Sequence, residues 1–306
     1  MGLGTNHVTN TTAATFIPEI WSDEVIAAYK KNLVAANLFK KISFKGKKGD
    51  TVHIPQPTRG SASLKAASTE VTLIAATETE VQVVVDKHYE YSRLIEDITE
   101  VQALTSMRRF YTDDAGYALA KQVDTSLIQL GRGFNTGAGT NVYEDAYVGV
   151  DGSTKYVAAS NNESALTDIG IRRVIQRLDD NDVPMDGRFL LIPPSARNTM
   201  MGIDRYNSQS FVGEVGANNQ IRNGEIGNVY GIPVFVSSNC DTASGSNAAR
   251  ICLMGHKDAA VLAEQMGVRS QTQYKQEYLG TLYTADTLYG VKELRDDSCF
   301  AIAVPA

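Results

Sequence analysis

Residues 81–95 read VQVVVDKHYEYSRLI, and this stretch decides how the rest of the chain is interpreted. β-Branched and aromatic residues recur at alternate positions, which is the period of a strand with one buried face. The sequence therefore predicts one long strand here. The positions that share its apolar face are Val81, Val83, Val85, Tyr89 and Tyr91.

The segment before this strand has a different composition. Residues 58–80, TRGSASLKAASTEVTLIAATETE, are rich in Ser, Thr and Ala, so they cannot form a core of their own. They follow GDTVHIPQP, in which Val52 and Ile54 alternate with polar residues as in a strand and Pro55 and Pro57 end it. Two strands separated by so long a polar segment predict a β-hairpin that projects from the body of the protein. Loops of this length in a compact domain are usually functional or mobile.

The segment after the strand predicts the longest helix of the chain, over 98–130. Asp97 and Glu100 have the spacing of a capping box, with Asp in place of the usual Ser or Thr, and Gly131 is a natural stop. At 1.5 Å per residue such a helix is about 45–50 Å long, enough to cross the molecule as a spine. Its apolar stripe consists of Val101, Leu104, Tyr111, Ala115, Ala118, Leu119, Val123, Leu127 and Leu130.

Shorter patterns cover the remainder of the chain. Residues 1–15 are polar and Thr-rich and predict an extended arm, and a helix that Ser22 can cap follows it. A second amphipathic helix is predicted over 167–180, and a short one after the pair Pro193 and Pro194. Strands are predicted at FLLIPP (189–194) and SCFAIAVPA (298–306), and ARICLMG (249–255) and AAVLA (259–263) are predicted as two strands or as a strand and a turn.

Length and composition exclude several classes of protein. The chain has 306 residues, 43% of them hydrophobic, so it can bury a core in one large or two ordinary domains. It has neither an 18-residue apolar run nor the features of a secretory signal, and we expect no membrane contact. The net charge of −6 argues against a dedicated nucleic-acid binder, and the lysine cluster at 40–48 is interpreted as a solvated turn. Three cysteines are expected to be reduced and buried, and four scattered histidines predict no metal site.

The search for catalytic or binding motifs gives a negative expectation. Residues 221–239, IRNGEIGNVYGIPVFVSSN, contain Gly224, Gly227 and Gly231, but their spacing is not that of a dinucleotide-binding loop, and they precede a strand rather than a helix. They are interpreted as turn residues. The adjacent carboxylates at 113–114, 179–180 and 296–297, and Asp124 on the long helix, are interpreted as solvated. We therefore expect no catalytic residues and no cofactor.

Five stretches of the chain, taken in order, resemble one family. GDTVHIPQPTRG and VQVVVDKHYEYSRLIEDITE are similar to the two sides of an extended loop, and TSMRRFYTDDAGYALAKQVDTSLIQLG to a spine helix. IGIRRVIQRLDDNDVPMDGRFLLIPPSARNTMM and GEIGNVYGIPVFVSSN are similar to an axial domain. The plan resembles the major capsid protein of tailed bacteriophages, an α+β chain with the Hong Kong 97 fold, and is closest to that of short-tailed, T7-like phages.

The resemblance implies a division of the chain into five parts. Residues 1–45 would form an N-terminal arm and short helix, and 46–95 the extended loop with its flanking strands. Residues 96–150 would form the spine helix and peripheral domain, and 151–290 the axial domain. Residues 291–306 would form a C-terminal strand that returns to the peripheral domain.

The function that the resemblance implies is structural rather than enzymatic. Copies would assemble as hexamers and pentamers, in the host cytoplasm, into an icosahedral virion head around double-stranded DNA contacted only non-specifically. Because the chain begins almost directly with the arm, a separate scaffolding protein is expected, together with a portal and, as an option, a decoration protein. An encapsulin-like compartment and an α+β enzyme stay open as alternatives. The candidate inter-subunit contacts are Arg59, Lys65, Glu70, Glu78 and Glu80.

Overall fold

The computed structural model describes residues 34–43, 49–57, 60–71, 73, 78–98, 107–134, 143, 145–203, 206, 227–243 and 249–306, with the backbone alone at 57, 78 and 107–110. The predicted arm at 1–15, the helix after Ser22, the capping partner Glu100, and Arg59 lie outside these residues. The helices are α1 (Ala35–Leu38), α2 (Met107–Gln129), α3 (Asp168–Asp180) and α4 (Pro194–Met201).

Twelve strands are described, and they form three sheets. In chain order they are β1 (Lys40–Ser43), β2 (Thr51–Pro57), β3 (Glu78–Val84), β4 (Lys87–Glu96), β5 (Tyr147–Val148), β6 (Arg188–Ile192), β7 (Asn228–Val229), β8 (Ile232–Val236), β9 (Arg250–His256), β10 (Ala260–Lys275), β11 (Gly280–Glu293) and β12 (Cys299–Val304). One sheet has the order β1-β10-β11-β4, a second has the order β5-β12-β9-β6-β8-β7, and β2 pairs with β3 alone.

The single strand predicted over 81–95 is two strands that belong to different sheets. β3 pairs with β2, whereas β4 pairs with β11 over ten residues, and the chain passes from one sheet to the other at Val85 and Asp86. The N–H of Val85 donates to the carbonyl of Asp50 at 2.7 Å. Alternation continues through the break because Val83 and Val85 are still buried, so the sequence pattern contains no sign of it.

The predicted hairpin is present. β2 and β3 pair in antiparallel register from Thr51 with Val84 to Pro57 with Glu78, with the intervening residues at the far end. Val83 and Val85, at the base, pack with the buried side chains of Val261 and Ala263 on β10. The base of the hairpin is therefore fixed to the four-stranded sheet.

The spine helix α2 is described over 23 residues, about 35 Å at 1.5 Å per residue. Its buried residues Ala115 and Leu119 pack on Tyr283 and Ala285 of β11. The predicted stop at Gly131 is wrong. The helix continues into a turn of 3₁₀ helix over Leu130–Arg132, and a Cβ on Gly131 would lie 2.6 Å from a methyl of Leu253.

The six-stranded sheet carries α3 and α4 and agrees with most of the local predictions. Thr167 caps α3 by accepting from the N–H of Gly170 at 3.1 Å, and the residues facing the sheet are fully buried. β6 and β9 are buried along nearly their whole length, which explains why they read as continuous apolar runs. The buried residues of α3 are Gly170, Ile171, Val174 and Leu178.

The C-terminal third of the chain differs from the expectation. β10 is far longer than the predicted AAVLA strand, which was ended too early because most of β10 beyond 263 is polar and exposed. β11 was not predicted, and its buried residues include the polar Asp286 and Thr287. Both strands lie in the four-stranded sheet with β4, although 151–290 was assigned to the axial domain. β12 pairs with β9 and with β5 inside the six-stranded sheet, where its six residues are all buried.

Candidate functional site

The far end of the hairpin carries the candidate contact residues Lys65 and Glu70, and both are exposed. The same segment exposes apolar side chains to an unusual degree: Leu64 is fully exposed, Leu73 is 89% exposed and Val71 is 68% exposed. Scattered exposed apolar residues are normal, but three within ten positions of one segment leave an unusual amount of apolar surface in contact with water.

Glu80, on β3, is held by its own hairpin. Its carboxylate accepts from Nε2 of Gln82 at 2.6 Å and lies 3.0 Å from Nδ1 of His53 on β2. These hydrogen bonds lower the pKa of Glu80 below its ordinary value, and the one from Gln82 has the larger effect. Of the other candidates, Glu78 pairs its backbone with Pro57.

Asp124 lies at the junction of three segments and was interpreted wrongly as solvated. It is fully buried, and its Oδ1 accepts from the backbone N–H of Ala35 at 2.7 Å. Oδ2 accepts from the side-chain amide of Asn239 at 3.0 Å. Burial raises the pKa of the Asp124 carboxyl above its ordinary value, although the Asn239 and backbone N–H donors oppose that rise. The carboxylate therefore joins α2 to the start of α1 and to the loop after β8.

A cavity of about 330 Å³ opens beside Asp124, between α2 and the four-stranded sheet. Its walls are mainly apolar and include Leu119, Val123 and Leu262. Both oxygens of Asp124 already accept hydrogen bonds from the protein. The carboxylate is thus positioned to hold the fold and not to exchange protons with a bound molecule.

Like Asp124, the carboxylate of Asp241 links segments that are distant in sequence, and we call each such carboxylate a node. This second node joins the end of the spine helix to the loop after β8. Nε and Nη2 of Arg132 donate to the two oxygens of Asp241 at 2.8 and 3.1 Å, the two-bond geometry that guanidinium and carboxylate favour. The hydroxyl of buried Tyr143 donates to the same carboxylate at 2.7 Å, and burial raises the pKa of Tyr143. One carboxylate therefore fixes both Arg132 and Tyr143, which lie on either side of residues 135–142 in the sequence.

A third node lies at the N-terminus of α3. Oδ1 of Asp168 accepts from the hydroxyls of both Tyr206 and Tyr230, while Oδ2 accepts from Arg172 at 3.0 Å. Burial raises the pKa of Tyr206. The two tyrosines lie on either side of 207–226 in the sequence, so Asp168 ties both flanks of that segment to one helix.

Of the glycines in residues 221–239, Gly231 is a turn residue, as predicted. Tyr230 and Gly231 both have positive φ, +52° and +79°, and they connect Val229 of β7 to its pairing partner Ile232 of β8. Positive φ at both central residues is the type I′ hairpin turn, for which Gly is favoured at the second position. A Cβ on Gly227 would meet no atom within 4 Å. Gly224 lies outside the described residues.

The described part of the chain contains no group of three His, Cys, Asp or Glu side chains able to hold a metal ion. Within the same residues no helix is both long and apolar enough to cross a membrane. Cys240, Cys252 and Cys299 are free and buried, as predicted. Burial raises the pKa of Cys240 to about 12, so its thiol stays protonated at neutral pH.

Comparison with known proteins identifies the family. Residues 17–291 match the family model described as phage capsid protein, which covers most of the chain. The chain belongs to the phage capsid protein family. No curated protein sequence matches this capsid protein.

Solved structures give the same fold. A structure from Mycobacterium phage Che8 is 22% identical with a TM-score of 0.74 and covers 94% of this chain and 97% of its own. The capsid structure of the cyanophage P-SCSP1u is 18% identical with a TM-score of 0.75, over 99% and 97%. The mature capsid of bacteriophage PhiM1 is 15% identical with a TM-score of 0.71, over 94% and 92%. These likenesses confirm the predicted α+β, Hong Kong 97-like capsid fold.

In this capsid protein, the predicted contact residues that the structure describes are all on the hairpin, but they do not form one cluster. Lys65 and Glu70 are at its exposed end, whereas Glu80 contacts His53 on the paired part of strands β2 and β3. Sequence reasoning missed the three carboxylate nodes. For Asp124 a signal was available, because it precedes the buried Leu127 and Ile128 by three and four residues and so shares their helix face.

Proposed function

We propose that this capsid protein self-assembles as hexamers and pentamers into an icosahedral phage head that encloses double-stranded DNA. The observation that carries the proposal is the hairpin, whose base is buried in its own subunit and whose far end exposes Leu64, Val71 and Leu73. Apolar surface that a subunit cannot cover by itself is buried on association. Family membership supports a shell built from many copies.

The candidate contact residues are assigned to the same assembly. Lys65 and Glu70 bring opposite charges to the exposed end, where they can meet charged groups of neighbouring copies. Arg59, Glu78 and Glu80 are placed by sequence on the flanks of the same segment. Such rim charges contribute more to specificity than to affinity.

The remaining partners are proposed from the charge and the family. A net charge of −6 disfavours adhesion of the inner wall to DNA, so packaged DNA is contacted only non-specifically. A scaffolding protein supplies assembly order in the host cytoplasm, a portal occupies one vertex, and a decoration protein is optional. The division of the chain into residues 1–45, 46–95, 96–150, 151–290 and 291–306 is retained as a proposal for the subunit.

Electron microscopy of assembled protein tests the proposal. We expect shells from the complete chain, and soluble, folded subunits without shells when residues 60–78 are deleted. Circular dichroism provides the control for folding, because the deletion removes little of the hydrophobic core. Normal shells from the deletion variant would contradict the role of the hairpin. Small particles filled with protein cargo would favour the encapsulin-like alternative.

A further inference from the structure

Two connections between the six-stranded and the four-stranded sheet run side by side. β9 passes to β10 through a turn of 3₁₀ helix at Lys257–Ala259, and β11 passes to β12 through residues 294–298. The carbonyl of Ala259 accepts from the N–H groups of Leu294 and Arg295 at 2.8 and 3.2 Å, which ties one connection to the other. A change in the shape of the 257–259 turn therefore acts on both connections.

The imidazole of His256 holds that turn. His256 is the last residue of β9 and, among the residues that the structure describes, the only buried histidine. Its Nδ1 accepts from the backbone N–H of Asp258 at 3.2 Å, and its Nε2 lies 2.8 Å from the carbonyl oxygen of Asp186. Because a backbone N–H can only donate and a carbonyl can only accept, these contacts require a neutral ring with its proton on Nε2.

Protonation of the ring would reverse the role of Nδ1. The added proton would face the N–H of Asp258, and two donors cannot form a hydrogen bond with each other. The carboxylate of Asp258 offers another acceptor, because its Oδ2 lies 3.6 Å from Nδ1 and its side chain is 41% exposed. A small rotation would pair the imidazolium with this carboxylate, while the N–H of Asp258 would lose its acceptor. The turn thus has two arrangements, and each satisfies the ring in one protonation state.

The charges next to His256 permit a proton on the ring. Arg188, directly opposite His256 on β6, donates to the carboxylate of Asp179 at 2.7 Å, so its charge is matched. Acids outnumber bases among the other charged residues of the adjoining segments, so excess positive charge does not oppose protonation. Those residues are Asp186, Lys257, Asp258, Arg295, Asp296 and Asp297.

We propose that His256 is a proton-operated switch where the chain passes between the two sheets. When neutral, the ring caps the 257–259 turn. When protonated by solvent, it bonds the carboxylate of Asp258 and releases the N–H of Asp258, which loosens the turn and its hydrogen bonds to Leu294 and Arg295. The inference concerns the single subunit and goes beyond the proposed assembly.

Hydrogen exchange of the complete, unassembled chain tests the switch. Exchange is followed residue by residue at about pH 5 and pH 7.5, on either side of the range in which histidine ordinarily titrates. Protection is expressed relative to an unstructured chain at the same pH. At the lower pH we expect the N–H of Asp258 to lose protection roughly tenfold, the effect of about one hydrogen bond. The N–H groups of Leu294 and Arg295 should lose protection with it, whereas those of Leu253 and Ile302, inside β9 and β12, should not.

Three variants separate the switch from a general effect of acid. His256→Asn keeps an acceptor close to the position of Nδ1 but does not titrate, so its protection should be the same at both pH values. Asp258→Asn removes the charged partner of the imidazolium, so the loss of protection should move to lower pH than in wild type. His88→Asn is the matched control. His88 also contacts a carboxylate, that of Asp286, but it lies on β4 away from both connections, so this variant should respond like wild type.

The outcomes decide the inference without reference to shells. Protection of the Asp258 N–H that does not change with pH in wild type overturns it, and so does an equal loss in His256→Asn. An equal loss throughout β9 and β12 shows general unfolding and also overturns it. If His256→Asn does not fold, Asp258→Asn decides, because a loss of protection at the same pH as in wild type contradicts the proposed partner. A chain that switches but forms no shells contradicts the assembly function alone.

Discussion

Replacement of Asp124 by Ala tests whether the buried carboxylate stabilises the subunit. In the wild-type protein Oδ1 accepts from the N–H of Ala35 at 2.7 Å, and Oδ2 from the amide of Asn239 at 3.0 Å. Ala removes both acceptors from a site that is fully buried in the folded chain. The two donors are then left unsatisfied in a buried environment.

The expected loss follows from those two donors. Each unsatisfied buried donor costs about 1–3 kcal/mol, so the pair costs roughly 2–6 kcal/mol. Ala also removes a carboxylate whose charged form burial disfavours. The net loss of unfolding free energy therefore falls in the lower part of that range, about 2–4 kcal/mol. For 306 residues, an unfolding entropy of about 2.1 cal/mol/K per residue gives a fall in Tm of about 3–6 °C.

The pH dependence of the same site has a definite sign. Burial raises the pKa of Asp124 in the folded protein, so the folded state binds more protons than the unfolded state above pH ~3.9. The contribution of Asp124 to the free energy of unfolding is therefore complete below that pH and declines as pH rises through the folded pKa. Asp124→Asn has no such decline, so the stability of wild type relative to Asp124→Asn should be greater at pH 4 than at pH 7.

Thermal melts of unassembled subunits, followed by circular dichroism, measure both effects. Asp180→Ala, at an exposed acidic position at the end of α3, is the matched control, and we expect a change within about 0.5 kcal/mol. A Tm of Asp124→Ala within 1 °C of wild type, on the scale of about 1.6 °C per kcal/mol derived above, would refute the reasoning. So would a wild-type advantage over Asp124→Asn that grows with pH.

Three further predictions concern the spine, its end and the charge of the subunit. Leu119→Asp places an unpaired charge against β11 and should yield insoluble or unfolded protein, whereas the exposed neighbour Ala120→Asp should melt like wild type. Gly131→Val inserts atoms toward Leu253 and should destabilise by about 1–3 kcal/mol in urea titrations. Free subunits should bind random duplex DNA no tighter than about 10⁻⁶ M at physiological salt. Nanomolar binding with a steep salt dependence, measured by titration at two salt concentrations, would contradict the shell function.

The elements that were predicted from sequence are those that bury one or both faces within the subunit. α3 shows the 3.6-residue period because Ile171, Val174 and Leu178 pack on a sheet, and β6 and β9 are apolar throughout because both of their faces are covered. The outer half of β10 was missed for the converse reason, because the segment from Val268 to Tyr274 is solvated on both faces in the subunit and no burial pattern is imposed on it. β11 was missed for a different reason: its buried residues include the polar Asp286 and Thr287, so burial there does not follow hydrophobicity.

The polar nodes could not be predicted as sites because their partners are distant in sequence. Asp124 is 89 residues from Ala35 and 115 from Asn239, and Asp241 is 109 residues from Arg132. A single aspartate with neither motif nor local partner looks like any solvated acid. The sequence does place Asp124 three residues before Leu127, on the same face of the helix. Helical periodicity therefore indicated that Asp124 is buried with Leu127.

The division of residues 81–95 into two strands bears directly on assembly. β4 is held by ten residue pairs to β11, and β3 by seven to β2, while Val83 and Val85 bury the junction between them. The hairpin is thus anchored at its base even though Leu64 and Leu73 at its far end are solvated. Ordering a flexible segment on binding costs free energy, so a segment carried on a fixed base loses less on docking than a free chain would. In the proposed assembly, the apolar end would supply affinity while the anchored base sets its direction.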